Sequence, residues 1–360
     1  MTRLLIIADD LTGALDSAVP FAARGLKTMV ARRPEDLESL LHGDVDVAAV
    51  STASREGSEA DARRAVARIG ALVRAMAAPA PRLFKKVDSR LKGHVAAEVE
   101  EVARLGGASR AIVCPAIPTQ ARTVVAGFLR GRGVLEPIDI AARLAGSGLS
   151  IKAPDAADKA DLARIVAEAG KEDLLVGAAG LALALADEMA PADATDRRAP
   201  RLAAPALLAC GSRDPITLAQ LERLRAVARP NWIEAPNGTL PDDGDPAVRS
   251  LTVLQMTAGA AAIDGHEAGH NFSASVCRLT QQDIRSLLCC GGETADAVLG
   301  ASGVGVITLV GELSPGVPAG MVRLGDKNIL LATKSGGFGD VDCLLQIAED
   351  IDFPNACEID

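Results

Sequence analysis

Short β-branched runs alternate with Ala-rich helical patterns along nearly the whole chain, and this alternation restricts the fold more than any other feature. Strand candidates "RLLIIA", "KTMVAR", "VDVAAVS", "RLFKKVD", "RAIVCPA" and "DLLVGAA" lie in the first half, with "PALLACGS", "RSLLCCGG" and "GVGVITLV" in the second. Between them run segments such as "SEADARRAVARIGALVRAM" and "HVAAEVEEVARL", whose apolar residues recur at three and four. Strands separated by helices are the mark of α/β units on a largely parallel sheet. At 360 residues the chain has length for about two domains. The stretch at 190–205, "APADATDRRAPRLAAP", is rich in Pro, Ala and charge without an apolar period, and marks a linker. The expected architecture is α/β with two domains, 1–190 and 206–360. Each would be a largely parallel sheet flanked by helices, with a ligand cleft between them.

Composition excludes several functions. Aromatics make up 2% and the formal charge is −9, so the stacking platforms and basic groove of a generic nucleic-acid binder are missing. An anionic small molecule needs only a local basic cluster. The start "MTRLLIIADD" is too short an apolar run for a signal peptide, and no stretch reaches the roughly 18 apolar residues of a membrane helix, so a soluble cytoplasmic protein is expected. Seven cysteines without a C-x-x-C pair fit a reducing compartment, with Cys289 and Cys290 as small hydrophobes of a buried strand. His266 and His270 in "GHEAGH" have i, i+4 spacing, but the two glycines predict a loop, and no metal site is expected.

In open α/β sheets ligands bind beyond the carboxyl ends of strands. At the first such end, "IADDLTGALD", Asp9 and Asp10 stand side by side and repel, which calls for a cation. Capping the next helix would need only one of them. In "KKVDSRLKGH", strand alternation sends Lys85 and Lys86 to opposite faces. There Lys86 offers a point charge and Arg90 a planar fork for an acidic substrate, with Asp88 and Ser89 beside them. "PAIPTQARTVVAG" adds Gln120, Arg122 and Thr123 for hydroxyls or a carboxylate, although a proline-bounded surface loop accounts for it equally. In the second half, "CGSRDPIT" brings Gly211 and Ser212, "CCGGET" brings Gly291, Gly292, Glu293 and Thr294, and "KSGGFGD" brings Lys334, Ser335, Gly336 and Gly337. Such turns let phosphate approach free N–H groups, yet none is a P-loop or a G-x-G-x-x-G fingerprint.

Taken in order, "IADDLTGALD", "KKVDSRLKGH", "PAIPTQART", "GGETADAVL", "PGVP" and "KSGGFGD" resemble the four-carbon acid sugar kinase family from end to end. The resemblance implies an ATP-dependent kinase, a phosphotransferase with an alcohol acceptor, acting on threonate, erythronate, 3-oxo-tetronates or branched oxo-apionate acids. It implies an N-terminal acid-sugar domain and a C-terminal nucleotide domain. By motif, Asp9, Asp10, Thr12, Gly13 and Asp16 form one substrate junction, and Lys86, Asp88, Ser89 and Arg90 a second. Ser212, Gly291, Gly292, Glu293, Thr294, Gly336 and Gly337, joined by Lys334, surround the nucleotide. Phosphoryl transfer needs an orienting base and cations. Asp10 is the expected base and Asp88 its runner-up, Asp9 holds substrate hydroxyls or a water of Mg²⁺, and Arg90 with Lys86 clamps the carboxylate. The cofactors are ATP and Mg²⁺, and a homodimer is an assembly the sequence leaves open.

The sequence departs from the family at "KVDSRLKGH", at Ala121 in place of a common glycine, and by trimming after "GVLEPIDIAARL" and between about 235 and 280. These changes bear on the identity of the acid. Two other classes fit less well: a non-catalytic sensor would not need the late glycine turns, and a metal-dependent phosphoesterase would need more ligands than four histidines offer.

Overall fold

The computed structural model describes residues 2–76, 79–190, 199–241 and 246–352. The chain divides into two compact units, Met1–Arg197 and Arg198–Asp360. Most of the linker expected at 190–205 lies outside the described residues.

The first unit runs β1 (Leu4–Ala8), α1 (Leu11–Ala23), β2 (Thr28–Ala31), α2 (Leu37–Leu41), β3 (Val47–Ser51), α3 (Glu59–Ala75), β4 (Arg82–Lys86), α4 (Val95–Gly106) and β5 (Arg110–Cys114). Then come β6 (Arg122–Val125), β7 (Phe128–Gly131), β8 (Ile138–Asp139), α5 (Ile140–Arg143), β9 (Ser150–Lys152), α6 (Lys159–Glu168), β10 (Asp173–Gly177) and α7 (Ala179–Met189). Its main sheet has the order β2-β3-β1-β4-β10-β5-β9, and its pairs are parallel. Strand β1 is buried at every position. A parallel strand covered on both faces must be apolar throughout, so "LLIIA" is a continuous run rather than an alternation. Strands β6, β7 and β8 form a separate antiparallel sheet.

The second unit runs β11 (Ala206–Cys210), α8 (Pro215–Ala228), β12 (Asn231–Pro236), β13 (Leu251–Thr257), α9 (Gly265–Thr280), β14 (Ser286–Cys290) and α10 (Gly292–Ala301). It ends with β15 (Val306–Glu312), β16 (Pro318–Leu324), β17 (Lys327–Lys334) and α11 (Cys343–Glu349). The order is β12-β13-β11-β14-β17-β16-β15. The pairs from β12 to β17 are parallel, and β16 runs antiparallel to both its neighbours. Cys289 and Cys290 are buried in β14 as expected.

The expected loop at "GHEAGH" is incorrect, because His266 and His270 lie exposed on α9. Asp264 caps that helix by accepting the Glu267 N–H at 2.8 Å. Burial of Phe272, Val276 and Leu279 on one face offsets the roughly 1 kcal/mol that each glycine costs a helix. No helix among the described residues is long and apolar enough to cross a membrane.

Both sheets place their first strand at a point where the chain's direction of growth reverses. From β1 the chain first adds β3 and β2 on one side and then β4 on the other. From β11 it first adds β13 and β12, then β14. Crevices open beyond the carboxyl ends of strands at such points.

Candidate functional site

At the first of these ends, Asp10 adopts extended backbone and caps α1, accepting the Gly13 N–H on Oδ1 at 2.7 Å. The cation required by the paired carboxylates belongs to the chain itself. Arg55, in the turn after β3, donates Nε to Asp9 Oδ2 and Nη2 to Asp9 Oδ1, each at 2.8 Å, and Nη1 to Asp10 Oδ2 at 2.5 Å. Burial raises the affinity of Asp9 for a proton, but the Arg55 hydrogen bonds and the Lys85 charge outweigh it and hold this carboxyl below its ordinary range. Burial dominates at Asp10. Arg55 and Lys86 oppose it, Asp9 reinforces it, and the carboxyl is left above its ordinary range. Gly13 is required here because a Cβ would stand 2.6 Å from Asp10 Oδ1 and 2.9 Å from Lys86 Nζ. Thr12 and Asp16 lie half-buried along α1.

The strand β4 separates its lysines as alternation predicts. Lys86 joins the Asp10 group, while Lys85, wholly buried, pairs with Glu98 Oε2 of α4 at 3.3 Å. Glu98 Oε1 in turn accepts Ser54 Oγ at 2.8 Å and lies 3.0 Å from Thr52 Oγ1. Backbone bonds from Thr52 N to Ala8 O and from Ser54 N to Asp9 O tie the same turn to the end of β1.

A second group gathers beside it. Arg122 Nη1 donates to Gln120 Oε1 at 2.7 Å and to Ser89 Oγ at 2.9 Å, and its Nε donates to Arg132 O. Burial, then the neighbouring Arg90 and Arg132 charges, lower the Arg122 pKa, with Asp88 opposing. Two guanidinium groups crowded in this way favour an anion. Asp88 Oδ1 accepts the Arg90 N–H at 2.9 Å, so this carboxylate shapes the turn that presents Arg90.

In the second unit three turns converge. A Cβ on Gly211 would overlap Thr294 Oγ1, and one on Gly336 would overlap Ser212 Oγ. Gly291, at φ +113°, lies against the same Thr294 and Ser212 and donates its N–H to Lys334 O. This backbone angle suits glycine. The carbonyls of the third turn point inward. Thr217 Oγ1 donates to Gly336 O at 2.6 Å, and Gln220 Nε2 donates to Phe338 O at 3.0 Å and Asp340 O at 2.6 Å. Lys334 is buried, and its Nζ donates to Ser335 O at 3.0 Å. Its charge therefore reaches a ligand through the loop rather than by touching it. Gly292 begins α10 and Glu293 follows it exposed. A space that every added Cβ would fill, lined by glycines, suits a phosphate chain.

The sequence reasoning missed Arg55, Glu98, Thr217 and Gln220. Arg55 had a signal in its position beyond a strand end, and Glu98 in being an acid within the apolar stripe of Val95, Val99 and Val102.

Comparison with known proteins agrees with this division. A sugar-binding N-terminal domain model matches residues 4–138, and a nucleotide-binding C-terminal domain model matches 239–344. The chain is 33% identical to the D-threonate kinase of Bordetella bronchiseptica, covering 96% of each. It belongs to the four-carbon acid sugar kinase family. Another relative, the 3-oxo-tetronate kinase of Pseudomonas fluorescens, is 25% identical over 93% of this chain and 94% of its own. A Haemophilus influenzae structure of the DUF1537 family shares the fold of this acid sugar kinase with a TM-score of 0.68. That match is 18% identical and covers 96% of this chain and 99% of the other. As a member of the family the protein is a phosphotransferase acting on small acid sugars.

Proposed function

We propose that the protein transfers the γ-phosphoryl group of ATP to a hydroxyl of a small acid sugar of the threonate, erythronate, 3-oxo-tetronate or branched oxo-apionate class. The observation that carries this reading is the half-exposed, proton-holding Asp10 beside Asp9, Arg55 and Lys86 at the switch point of the first sheet. In this reading the first unit binds the acid and the second binds ATP.

Arg90 and Arg122 hold the substrate carboxylate, with Gln120 and Ser89 fixing the Arg122 fork. Asp10 orients the acceptor hydroxyl and takes its proton as the oxygen attacks the γ-phosphorus. The bond from that phosphorus to the bridging oxygen breaks, and ADP leaves with the electron pair. Lys86 keeps Asp10 in place and supplies positive charge. Asp88 is bound up in its turn and is displaced as a candidate base. Gly211, Ser212, Gly291, Thr294, Gly336 and Gly337 form the cradle that fits the ATP phosphates. No cluster of three His, Cys, Asp or Glu side chains occurs among the described residues. Mg²⁺ therefore fits this chain as a chelate of the nucleotide phosphates, where it neutralises their charge.

The test is an ADP-release assay with Mg·ATP against a panel of these acids. Turnover on one acid is expected, and D10N should reduce it by about 10²- to 10⁴-fold while leaving ATP affinity nearly unchanged. Retained turnover in D10N would refute the assignment of the base.

A further inference from the structure

We propose that Arg55 is a positioning residue that makes the two adjacent aspartates unequal, clamping both oxygens of Asp9 and one of Asp10, so that Asp10 alone is presented to a substrate hydroxyl. The inference rests on the reading of Asp10 as the proton acceptor.

Two neighbouring carboxylates removed from water cannot both stay ionised without a counter-charge; left alone they share a proton. A shared proton would block a base. The Arg55 fork resolves this asymmetrically, because two of its three hydrogen bonds go to Asp9, whose side chain is 3% exposed. The third goes to Asp10, which is 28% exposed. Asp9 is thereby the inner anion of an ion pair, and Asp10 the outer carboxylate that a ligand can reach.

The groups facing this centre come from four elements. Asp10 meets Arg55 from the turn after β3, Lys86 from the end of β4, the Gly13 N–H of α1 and its neighbour Asp9. Asp9 also feels Lys85 and Lys86, and Arg55 also feels Asp88. Among the described residues, only Arg55 bridges the pair with printed hydrogen bonds. Neither lysine shows such a bond to either carboxylate.

Arg55 is itself held from behind. Its backbone N–H reaches Asp9 O at 3.4 Å and that of Ser54 reaches the same oxygen at 3.0 Å. The Ser54 hydroxyl is fixed on Glu98, which Lys85 neutralises. A buried acid, a buried base and two hydroxyls thus brace one turn, and that turn delivers one guanidinium. A surface ion pair would need none of this.

The test compares R55Q, R55K and D10N in the full chain. The rate is measured as a function of pH with Mg·ATP and the turned-over acid, and the Asp10 carboxyl is followed by ¹³C NMR, assigned by its loss in D10N. In R55Q the acid limb of kcat/KM and the Asp10 titration should both move up by about one pH unit or more. At neutral pH kcat should fall at least about tenfold, with KM for ATP within about twofold. R55K keeps a charge but cannot reach three oxygens together, so its limb should move in the same direction by less. A limb and a titration that stay in place in the folded variants would overturn the proposal. So would a raised KM for the acid with an unmoved limb, which would make Arg55 a substrate ligand instead. Should R55Q fail to fold, R55K decides. Full turnover in D10N would sink the assignment of the base, and the NMR titration would still judge Arg55 separately.

Discussion

Glu98→Ala should be the most costly single change near the site. Lys85 and Glu98 are 0% and 2% exposed, and their ion pair is 3.3 Å long. Truncating the acid leaves the ammonium of Lys85 buried without its partner, a change that typically costs about 3–5 kcal/mol. The hydroxyls add little, because Ser54 can donate to Thr52, 2.7 Å away, and Thr52 to Ala8 O at 3.0 Å. Asp9 lies near enough to feel the Lys85 charge and offsets some of the loss, which places the expected cost near about 3 kcal/mol. The double variant K85M/E98Q removes both charges and keeps an amide oxygen for Ser54, so it should lie within about 1 kcal/mol of the parent. Urea denaturation followed by far-UV circular dichroism gives both numbers from the midpoint at unchanged slope. The reasoning is refuted if E98A costs less than 1 kcal/mol on the order of a surface pair, or if the double variant is no more stable than E98A.

Two further predictions concern the second unit and the remote edge of the first. Thr217→Val removes the hydroxyl that holds Gly336 O at 2.6 Å; initial-rate kinetics should show KM for ATP raised by about two- to tenfold, the worth of one hydrogen bond, with KM for the acid unchanged. Asp173 is held below the ordinary carboxylate range, chiefly by its Arg110 hydrogen bond, against some burial, and it also accepts the Gly170 N–H at 2.8 Å. A depressed native pKa stabilises the fold above the unfolded value of about 3.9, and that stability is lost as pH falls through the native value. D173N should therefore lower Tm at neutral pH, and its difference from the parent should close as melts are repeated at progressively lower pH below about 4.

What the sequence showed most clearly was the position of the strand ends, since "LLIIA", "SLLCC" and "ALLAC" are continuous apolar runs that stop at polar or glycine turns. The small antiparallel sheet escaped notice because "RTVV" and "FLRG" are four-residue strands rich in arginine and glycine, indistinguishable from a loop by periodicity. Lys334 looked like a phosphate ligand from its place beside two glycines. Its inward turn onto Ser335 O depends on how β17 is covered, which no local pattern reports. Arg55 was hidden for a similar reason. An arginine in "TASREG" acquires its meaning only when β3 is laid beside β1, a contact between residues 45 or 46 positions apart. At Ala121, by contrast, the departure noted from the family pattern has a visible consequence: φ is +52°, a conformation that costs a residue with a side chain about 1–2 kcal/mol and glycine far less.

The two switch points of the fold are chemically opposite, and the reaction explains why they should be. Beyond β1 the chain places side chains of fixed charge, because an acceptor hydroxyl must be oriented by a group that can take a proton, and only a side chain can do so. Beyond β11, β14 and β17 it removes side chains and turns carbonyls inward onto Thr217, Gln220 and Lys334, which leaves backbone N–H groups as the recognition surface. Backbone amides suit a phosphate chain that is common to every substrate of such an enzyme. Variation among acids then falls on the first unit alone, at Arg90, Arg122 and the short β6 to β8 sheet that carries Arg122. Exchanging residues there should change which acid is phosphorylated while leaving KM for ATP in place, whereas an exchange at Gly336 or Gly211 should impair every acid equally.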